Sequence, residues 1–183
     1  MIFLIAAVAL AAVVAAAARA PKVIADMTRP DFLKRISPLA KVIEVQLGIP
    51  LDITVTQAAH ESNWGSSGLT KSANNLFGMT GESWKAAKKP VVEMPTDEYV
   101  NGKFVSVKRP FRKYDSWLES CKDWANNIAT TPRYASAYQA ARAHNSQLFF
   151  TLVAAAGYAT DPNYGQKLVL VRDAVKRELE ALA

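Results

Sequence analysis

The sequence predicts a mainly helical α+β domain that carries one small β-hairpin lobe, with a cleft between the lobe and the helices. Helix-start signals recur ahead of apolar residues at helical spacing, as in the capping box Ser116-Trp-Leu-Glu119. The dipeptide Asn101-Gly102 lies between β-forming residues, and this is the strongest short-range hairpin signal because both turn residues accept positive φ. Half of the 183 residues are hydrophobic, which is enough for the core of one domain.

The N-terminal segment stands apart from this domain. Residues Ile2 to Ala18 form an unbroken apolar run, close to the shortest helix that spans a bilayer. No Lys or Arg precedes the run, and Pro21 follows the small residues that a signal peptidase would need. We therefore expect a hydrophobic segment over residues 1–20 and a linker over 21–29 ahead of a domain over 30–183. The segment is predicted to be an uncleaved anchor, a helix packed against other subunits, or a signal peptide.

The helices are predicted from their caps and breaks. Thr28-Arg-Pro-Asp31 opens a short helix, and Ser37-Pro38 restarts a second one that Gly48 ends. The remaining predicted helices run from about Asp52 to Asn63, from Ser116, from Pro132 to about His144, from Asn145 to Gly157, and from Asp161-Pro162 to about Leu182.

Charge narrows the classes of partner. The formal net charge is +6 and the sequence pI is about 9.5, with basic residues concentrated in Lys85 to Lys89 and Lys103 to Lys113. Such a face attracts nucleic acid, anionic lipid or the acidic bacterial wall, or is simply a solvated surface. No nucleic-acid-binding motif accompanies the charge, so nucleic acid is not an expected partner.

Cysteine and histidine usage argues against metal and disulfide chemistry. The single cysteine, Cys121, excludes an intramolecular disulfide and lies on the apolar stripe of a predicted helix, which is typical of a core residue. His60 and His144 are far apart and lack other ligands at metal-binding spacing. We expect neither a metal nor a cofactor.

Five sequence motifs occur in an informative order. They are Ala-Ala-His-Glu-Ser-Asn-Trp-Gly over 58–65, Asn-Asn-Leu-Phe-Gly over 74–78, Thr-Asp-Glu-Tyr-Val-Asn-Gly-Lys over 96–103, Phe-Arg-Lys-Tyr-Asp-Ser over 111–116 and Ala-Gly-Tyr-Ala-Thr-Asp-Pro-Asn-Tyr over 156–164. Together they resemble the glucosaminidase domain of glycoside hydrolase family 73, across roughly residues 30–178. The resemblance implies a lysozyme-like fold and hydrolysis of the β-1,4 glycan strand of peptidoglycan, at the bond that follows N-acetylglucosamine.

The resemblance makes Glu61 the catalytic acid. Glycoside hydrolysis needs a carboxylic acid that still holds its proton near neutral pH, and burial beside apolar groups raises a carboxyl pKa in that direction. Trp64 and Phe77 are the apolar neighbours that we expect around it. A purely structural Glu61 would instead cap local backbone or pair with a lysine.

Two further residues are expected near the reaction centre. Matching the hairpin motif places a second acidic residue at Glu98, which would act as nucleophile, as a base on water, or as an orienting group if the substrate's acetamido group attacks. Tyr158 matches the tyrosine that the family has in its cleft; otherwise it is a core aromatic residue. The resemblance also implies substrate contacts for a set of cleft residues, namely Trp64, Asn75, Phe77 and Tyr134.

The predicted function is therefore an endo-β-N-acetylglucosaminidase that degrades peptidoglycan. The protein would be exported, membrane-anchored through residues 1–20, or packaged in a phage virion, with peptidoglycan as its partner and membrane or virion subunits as possible additional ones. A lytic transglycosylase or muramidase is the nearest alternative, since these enzymes also use one glutamate in a lysozyme-like domain. A wall-binding or virion structural protein that keeps the fold without turnover is the alternative from another class.

Overall fold

The computed structural model describes residues 27–100 and 103–182, with the backbone alone for 97–100, 103 and 104. Eight helices, one 3-10 turn and two strands follow each other in this part of the chain. They are α1 (Arg29–Leu47), α2 (Leu51–Glu61), α3 (Gly68–Ala73), α4 (Glu82–Ala86), β1 (Val91–Val100), β2 (Lys103–Arg112), α5 (Trp117–Thr130), the 3-10 turn (Pro132–Tyr134), α6 (Ala135–Arg142), α7 (Ser146–Ala155) and α8 (Tyr164–Ala181). The expected fold class, mainly helical with one hairpin, is confirmed.

Helix α1 corrects the prediction of two helices separated at Ser37-Pro38. The helix is continuous, although Pro38 has no N–H for the backbone ladder. Ser37 is not an N-cap: its Oγ donates 2.7 Å to the carbonyl oxygen of Leu33. Ile36 and Leu39, on either side of the proline, are both buried. Packing of this shared apolar face therefore outweighs the roughly 3 kcal/mol that an internal proline costs.

Helix α2 is the centre of the helical body. Its residues 53–59 are all buried, and it packs against α1, α7 and α8. A helix that is buried on every side has little freedom to shift, so the side chain at its end is held in a fixed place. That last residue is Glu61.

The β-hairpin has the predicted topology. Strands β1 and β2 pair antiparallel from Val91 opposite Arg112 to Val100 opposite Lys103, which leaves residues 101 and 102, outside the described part, as the connection. Gly81 joins the hairpin to the body, and its N–H donates 2.7 Å to the carbonyl of Pro110. A Cβ at Gly81 would lie 2.9 Å from the backbone carbon of Phe111, so only glycine permits this approach.

Local signals place most of the helix ends. Ser116 Oγ accepts a 3.3 Å bond from the N–H of Glu119, and Asn145 Oδ1 accepts one of 3.0 Å from Leu148, so both predicted caps are confirmed. The predicted starts at Pro132 and Asp161-Pro162 were imprecise. A 3-10 turn precedes α6, and α8 begins at Tyr164.

The described residues contain no helix of the length and apolarity that crossing a bilayer requires. The hydrophobic segment predicted over 1–20 and the first part of the linker predicted over 21–29 lie outside the described residues, so the anchor stays a prediction. The end of that predicted linker belongs to α1 instead, since Thr28 is its N-cap and Arg29 its first residue.

Candidate active site

A strained turn follows Glu61 directly and explains the Ser-Asn-Trp-Gly sequence. Asn63, Trp64 and Gly65 have φ values of 48°, 55° and 78°, a left-handed run that costs non-glycine residues of the order of 1 kcal/mol each. Ser62 stabilises this turn, because its Oγ donates to the carbonyl of Ala58 and accepts a 2.7 Å bond from the N–H of Gly65. The turn ends α2 abruptly after the glutamate.

Glu61 accepts a hydrogen bond at the end of a two-step chain of donors. The chain begins at Gln57, one helical turn earlier. Gln57 Nε2 donates 2.6 Å to the phenol oxygen of Tyr164, and that phenol donates to Glu61 Oε1. The other carboxylate oxygen faces Gly78, where a Cβ would lie 3.7 Å away. Tyr164 is buried, so the donor to Glu61 is held by the core, while Glu61 as a residue is half-buried.

This environment controls the protonation of Glu61. Desolvation by burial raises the pKa of Glu61 from 4.5 to about 7, and the hydrogen bond from Tyr164 works in the opposite direction by stabilising the carboxylate. Glu61 is therefore protonated in a large fraction of the molecules at neutral pH. A carboxylic acid with this pKa is suited to donating a proton to a leaving oxygen. The raised pKa agrees with the sequence prediction, although Tyr164 is a closer polar partner than the neighbours that we expected.

Tyr158 lies beside this pair. Its ring stacks parallel to that of Tyr164, with centroids 5.8 Å apart, and its phenol donates 3.0 Å to the carbonyl of Phe77. Burial, together with the charge of Glu61, raises the pKa of Tyr158 well above its ordinary value. The phenol is therefore a permanent donor near the acid. A catalytic role for it stays a prediction.

Most of the residues expected to contact substrate are buried and make their contacts within the protein. Asn75 is 1% exposed, and its amide donates 2.9 Å to the carbonyls of both Met79 and Arg112 and accepts from the N–H of Met79. Phe77 is also 1% exposed and stacks on Trp124, with ring centroids 4.6 Å apart. We infer that these two buried side chains support the site through their hydrogen bonds and packing.

The other two expected contacts differ from each other. Tyr134 is 1% exposed and lies with its ring 6.1 Å from that of Tyr158, so it belongs to the same aromatic layer. Trp64 is partly exposed, but Arg29 covers its ring at 4.6 Å and Phe32 packs edge-on against it. Trp64 thus faces the first helix, and a sugar contact stays a prediction for both residues.

Glu98 lies on β1 opposite Val105. Its side chain lies outside the described part of the structure, and its role stays a prediction.

A cavity of about 290 Å³ adjoins the acid between the body and the base of the hairpin. Its lining is drawn from both regions: Phe77, Gly78, Met79, Thr80, Arg112, Asn127, Arg133, Tyr134 and Tyr158. This is the cleft that the sequence predicted between lobe and helices. Glu61 does not line this cavity itself but lies next to it at Gly78, where a Cβ would be 3.7 Å from Oε2. A larger cavity of about 500 Å³ lies between α7 and α8, and Tyr158 does not line it.

Gln57 and Tyr164 were not among the site residues predicted from the sequence. Gln57 precedes Glu61 by four residues on the same helix, a spacing that puts both side chains on one face and that the sequence displays. Tyr164 ends the last of the five motifs but lies 103 residues from Glu61, so only the fold brings the two together.

His60 and Cys121 both have close contacts within the protein, whereas His144 is exposed. His60 packs its ring edge-on against Tyr164, and burial followed by the charge of Lys167 lowers its pKa. Cys121 is fully buried, and burial raises its pKa far above the ordinary value. Among the described residues there is no group of three His, Cys, Asp or Glu side chains that could hold a metal ion.

Comparisons with known proteins agree with the motifs. The model of a family described as mannosyl-glycoprotein endo-beta-N-acetylglucosaminidase matches residues 37–177. Peptidoglycan hydrolase FlgJ of Salmonella typhimurium is 37% identical over 158 residues, which are 84% of this chain and 48% of that protein. A probable N-acetylmuramidase of Lactococcus lactis is 38% identical over 145 residues, which are 75% of this chain and 31% of that protein. This chain thus spans about half the length of the curated relatives it matches, or less.

The fold is likewise similar to a solved one. The crystal structure of a peptidoglycan hydrolase mutant from Sphingomonas sp. A1 superposes with a TM-score of 0.70 at 32% identity, covering 83% of this chain and 99% of that chain. The match extends over nearly all of that structure, so the helical body and the hairpin together correspond to one known architecture.

Proposed function

We infer that this chain, which belongs to the glucosaminidase family, hydrolyses the glycan strand of peptidoglycan with Glu61 as the general acid. The observation that supports the inference most directly is the half-buried carboxyl at the end of α2, whose pKa is raised to about 7 beside an open cleft. Relatives named peptidoglycan hydrolases support the choice of substrate.

The reaction needs two contributions from the protein. Glu61 donates its proton to the glycosidic oxygen as the bond to the anomeric carbon breaks, and the electron pair of that bond leaves with the oxygen. Tyr164 acts as a positioning residue: its phenol holds Oε1 of Glu61 and leaves the other oxygen turned towards Gly78 and the cavity. On the opposite face of the sugar, the anomeric carbon is attacked by Glu98 itself, by a water molecule that Glu98 activates, or by the acetamido group of the substrate.

The bond that is cut defines two candidate activities. The family description and the resemblance favour cleavage after N-acetylglucosamine. The Lactococcus relative is named a probable N-acetylmuramidase, which would cut the neighbouring bond instead. We propose the glucosaminidase activity, because the family match covers residues 37–177 and so includes every described residue of the site.

The substrate also constrains where the protein acts. Peptidoglycan lies outside the cytoplasmic membrane, so we propose that the protein is exported to the periplasm or the wall. Residues 1–20 would supply the signal or the anchor, or would bind other subunits if the enzyme is packaged in a virion.

Mass spectrometry of fragments released from purified peptidoglycan tests the proposal. We expect fragments with N-acetylglucosamine at the reducing end, and a rate that falls as pH rises through about 7, since only protonated Glu61 can donate. Reducing-end N-acetylmuramic acid would make the protein a muramidase, and 1,6-anhydro ends a transglycosylase. Binding to the wall without release of any fragment would show a non-catalytic wall-binding protein.

A further inference from the structure

The cavity beside the acid has a strongly basic wall. Arg112 and Arg133 both line it, together with the amide side chain of Asn127, and its lining within the described part of the chain includes no Asp or Glu. The sugar rings of a glycan strand are neutral, so two guanidinium groups are not needed to bind the rings themselves. The arrangement calls for an anionic ligand group.

Arg112 supplies a fixed positive charge. Its Nε donates 2.9 Å to the carbonyl of Thr80, and one terminal nitrogen donates 2.6 Å to Asp123 Oδ2. These two bonds use only part of the guanidinium, which has five N–H donors in all. Asp123 already neutralises much of this charge. Arg112 therefore contributes mainly its remaining N–H groups, which its two hydrogen bonds hold in a fixed orientation.

Arg133 supplies the charge that is not neutralised. It lies in the 3-10 turn with an exposed side chain, and its guanidinium sits 4.6 Å from the centre of the Tyr134 ring. Within the described residues no carboxylate forms an ion pair with it. Arg133 also forms a side-chain hydrogen bond with the Tyr134 phenol. The guanidinium has five N–H donors, so the remaining ones can form a two-point contact with a carboxylate.

Asn127 completes the set from helix α5. Its Oδ1 accepts a 2.9 Å hydrogen bond from Thr131 Oγ1, which turns the amide nitrogen the other way. The amide N–H groups are therefore directed to serve as donors. All three side chains thus offer hydrogen-bond donors to one cavity.

The position of the cavity identifies which part of the substrate it would meet. Gly78 lines it, and a Cβ on Gly78 would be only 3.7 Å from Oε2 of Glu61, so a group bound there belongs to a sugar next to the bond that is cut. Neither arginine contributes to the raised pKa of Glu61, which argues against a role for them in tuning the acid.

We propose that Arg133, supported by Arg112 and Asn127, binds a carboxylate of the peptide that N-acetylmuramic acid carries. The enzyme would then select glycan that bears peptide stems over bare glycan. This inference rests on the proposed function, because it takes peptidoglycan as the substrate. In peptidoglycan that has been freed of wall phosphate polymers, the anionic groups attached close to the cut bond are the carboxylates of the peptide stems.

The test uses soluble, uncrosslinked glycan chains freed of phosphate polymers, in three forms. One form bears native stems, one bears stems whose carboxylates have been coupled to methylamine, and one has been stripped of stems by an amidase. Arg133→Gln should lower kcat/KM roughly tenfold on native stems, as expected for losing a charged hydrogen bond, and less than about threefold on the other two. Arg133→Lys should recover part of the loss. Arg177→Gln, an exposed arginine on α8 outside the cavity, is the matched control and should leave all three rates unchanged.

The outcomes separate this inference from the proposed function. An equal loss for Arg133→Gln on all three substrates, or no loss on native stems, would overturn carboxylate recognition while hydrolysis stands. Binding by calorimetry in the Glu61→Gln background covers the case in which hydrolysis fails. There, weaker binding of amidated than native chains, abolished by Arg133→Gln, supports the site, and equal binding of both chains overturns it.

Discussion

The helical body and the β-hairpin differ in how their charged side chains are surrounded. In the body, Glu61 is held by a buried tyrosine and by the fully buried helix α2, and its pKa is raised to about 7. On the hairpin, no side chain described over 91–96 and 105–112 is fully buried. The pair of Lys85 with Glu93 is exposed, and the pair of Arg112 with Asp123 at the base is only partly buried. A desolvated carboxyl changes its protonation, whereas an exposed one stays an ordinary surface charge.

This difference indicates a division of labour. The body provides the candidate acid, because only a packed core can hold a carboxyl partly out of water and fix its direction. The hairpin provides a wall of the cleft and the candidate second carboxylate at Glu98. The two regions meet at Asn75, whose amide binds backbone carbonyls on both sides of the junction.

The largest effect should follow from removing the acid. Glu61→Gln keeps the size and the acceptor for Tyr164 but cannot donate a proton, so we expect turnover to fall by at least ~10²-fold. Fragment release from purified peptidoglycan measures it, and circular dichroism should show an unchanged fold. The exposed Glu180, on the last turns of α8, gives the control Glu180→Gln, which should keep full activity. Activity within a few-fold of wild type would remove Glu61 from the mechanism.

Breaking the junction between the regions should mainly affect stability. Asn75→Ala leaves the buried carbonyls of Met79 and Arg112 and the N–H of Met79 without their partner, which should lower the free energy of unfolding by about 3 kcal/mol. Urea denaturation measures the change. The exposed Asn126 on α5 gives the control Asn126→Ala, expected to be near neutral. A near-neutral result for Asn75→Ala would mean that the junction is held by other contacts.

The burial of Glu61 also predicts how stability depends on pH. Its folded-state pKa of about 7 exceeds the ordinary 4.5, so the unfolded chain gives up this proton first. Stability contributed by the protonated group is complete below about 4.5 and is lost as pH rises to about 7. Glu61→Gln should therefore be more stable than wild type at pH 8, by up to about 3 kcal/mol, and similar to it at pH 4. Thermal unfolding at both pH values checks this, and a constant difference between the two would contradict it.

The hairpin carboxylate should matter less than the acid. If the acetamido group of the substrate attacks, Glu98 only orients it, and Glu98→Gln should slow hydrolysis by about tenfold, or about 1.4 kcal/mol. Azide added to Glu98→Gly separates an orienting role from a direct one. Rescue with an inverted azido sugar would show that Glu98 acts directly on the opposite face, as nucleophile or as a base on water. Unchanged hydrolysis by Glu98→Gln would show that this glutamate is a surface charge.

The smallest effect is expected at the exposed ion pair. Lys85 Nζ lies 2.6 Å from Glu93 Oε1, but the side chains are 61% and 41% exposed. Glu93→Gln should lower the free energy of unfolding by less than about 0.5 kcal/mol, and the difference should vanish in 1 M salt. A loss above about 1 kcal/mol that survives salt would mean that the lobe is stabilised electrostatically after all.

Local interactions explain what the sequence predicted well. The caps at Ser116 and Asn145 act within three residues, and the pairing register agrees with a turn at residues 101–102. Glu61 was proposed as the acid from a motif whose residues are neighbours in the chain, and that role stays a prediction. The break predicted at Pro38 was wrong, because the local cost of a proline was weighed without the buried face that spans it.

By itself, the sequence determined the helical class, the hairpin, the order of the motifs and the candidate acid, since each depends on residues a few positions apart. Only the tertiary structure decided what surrounds that acid. The phenol of Tyr164 reaches Glu61 across 103 residues, and Arg133 meets Arg112 in a cavity to which β2 and the 3-10 turn each contribute. Desolvation and hydrogen bonding depend on which segments pack together, and that packing is a property of the whole fold rather than of any motif.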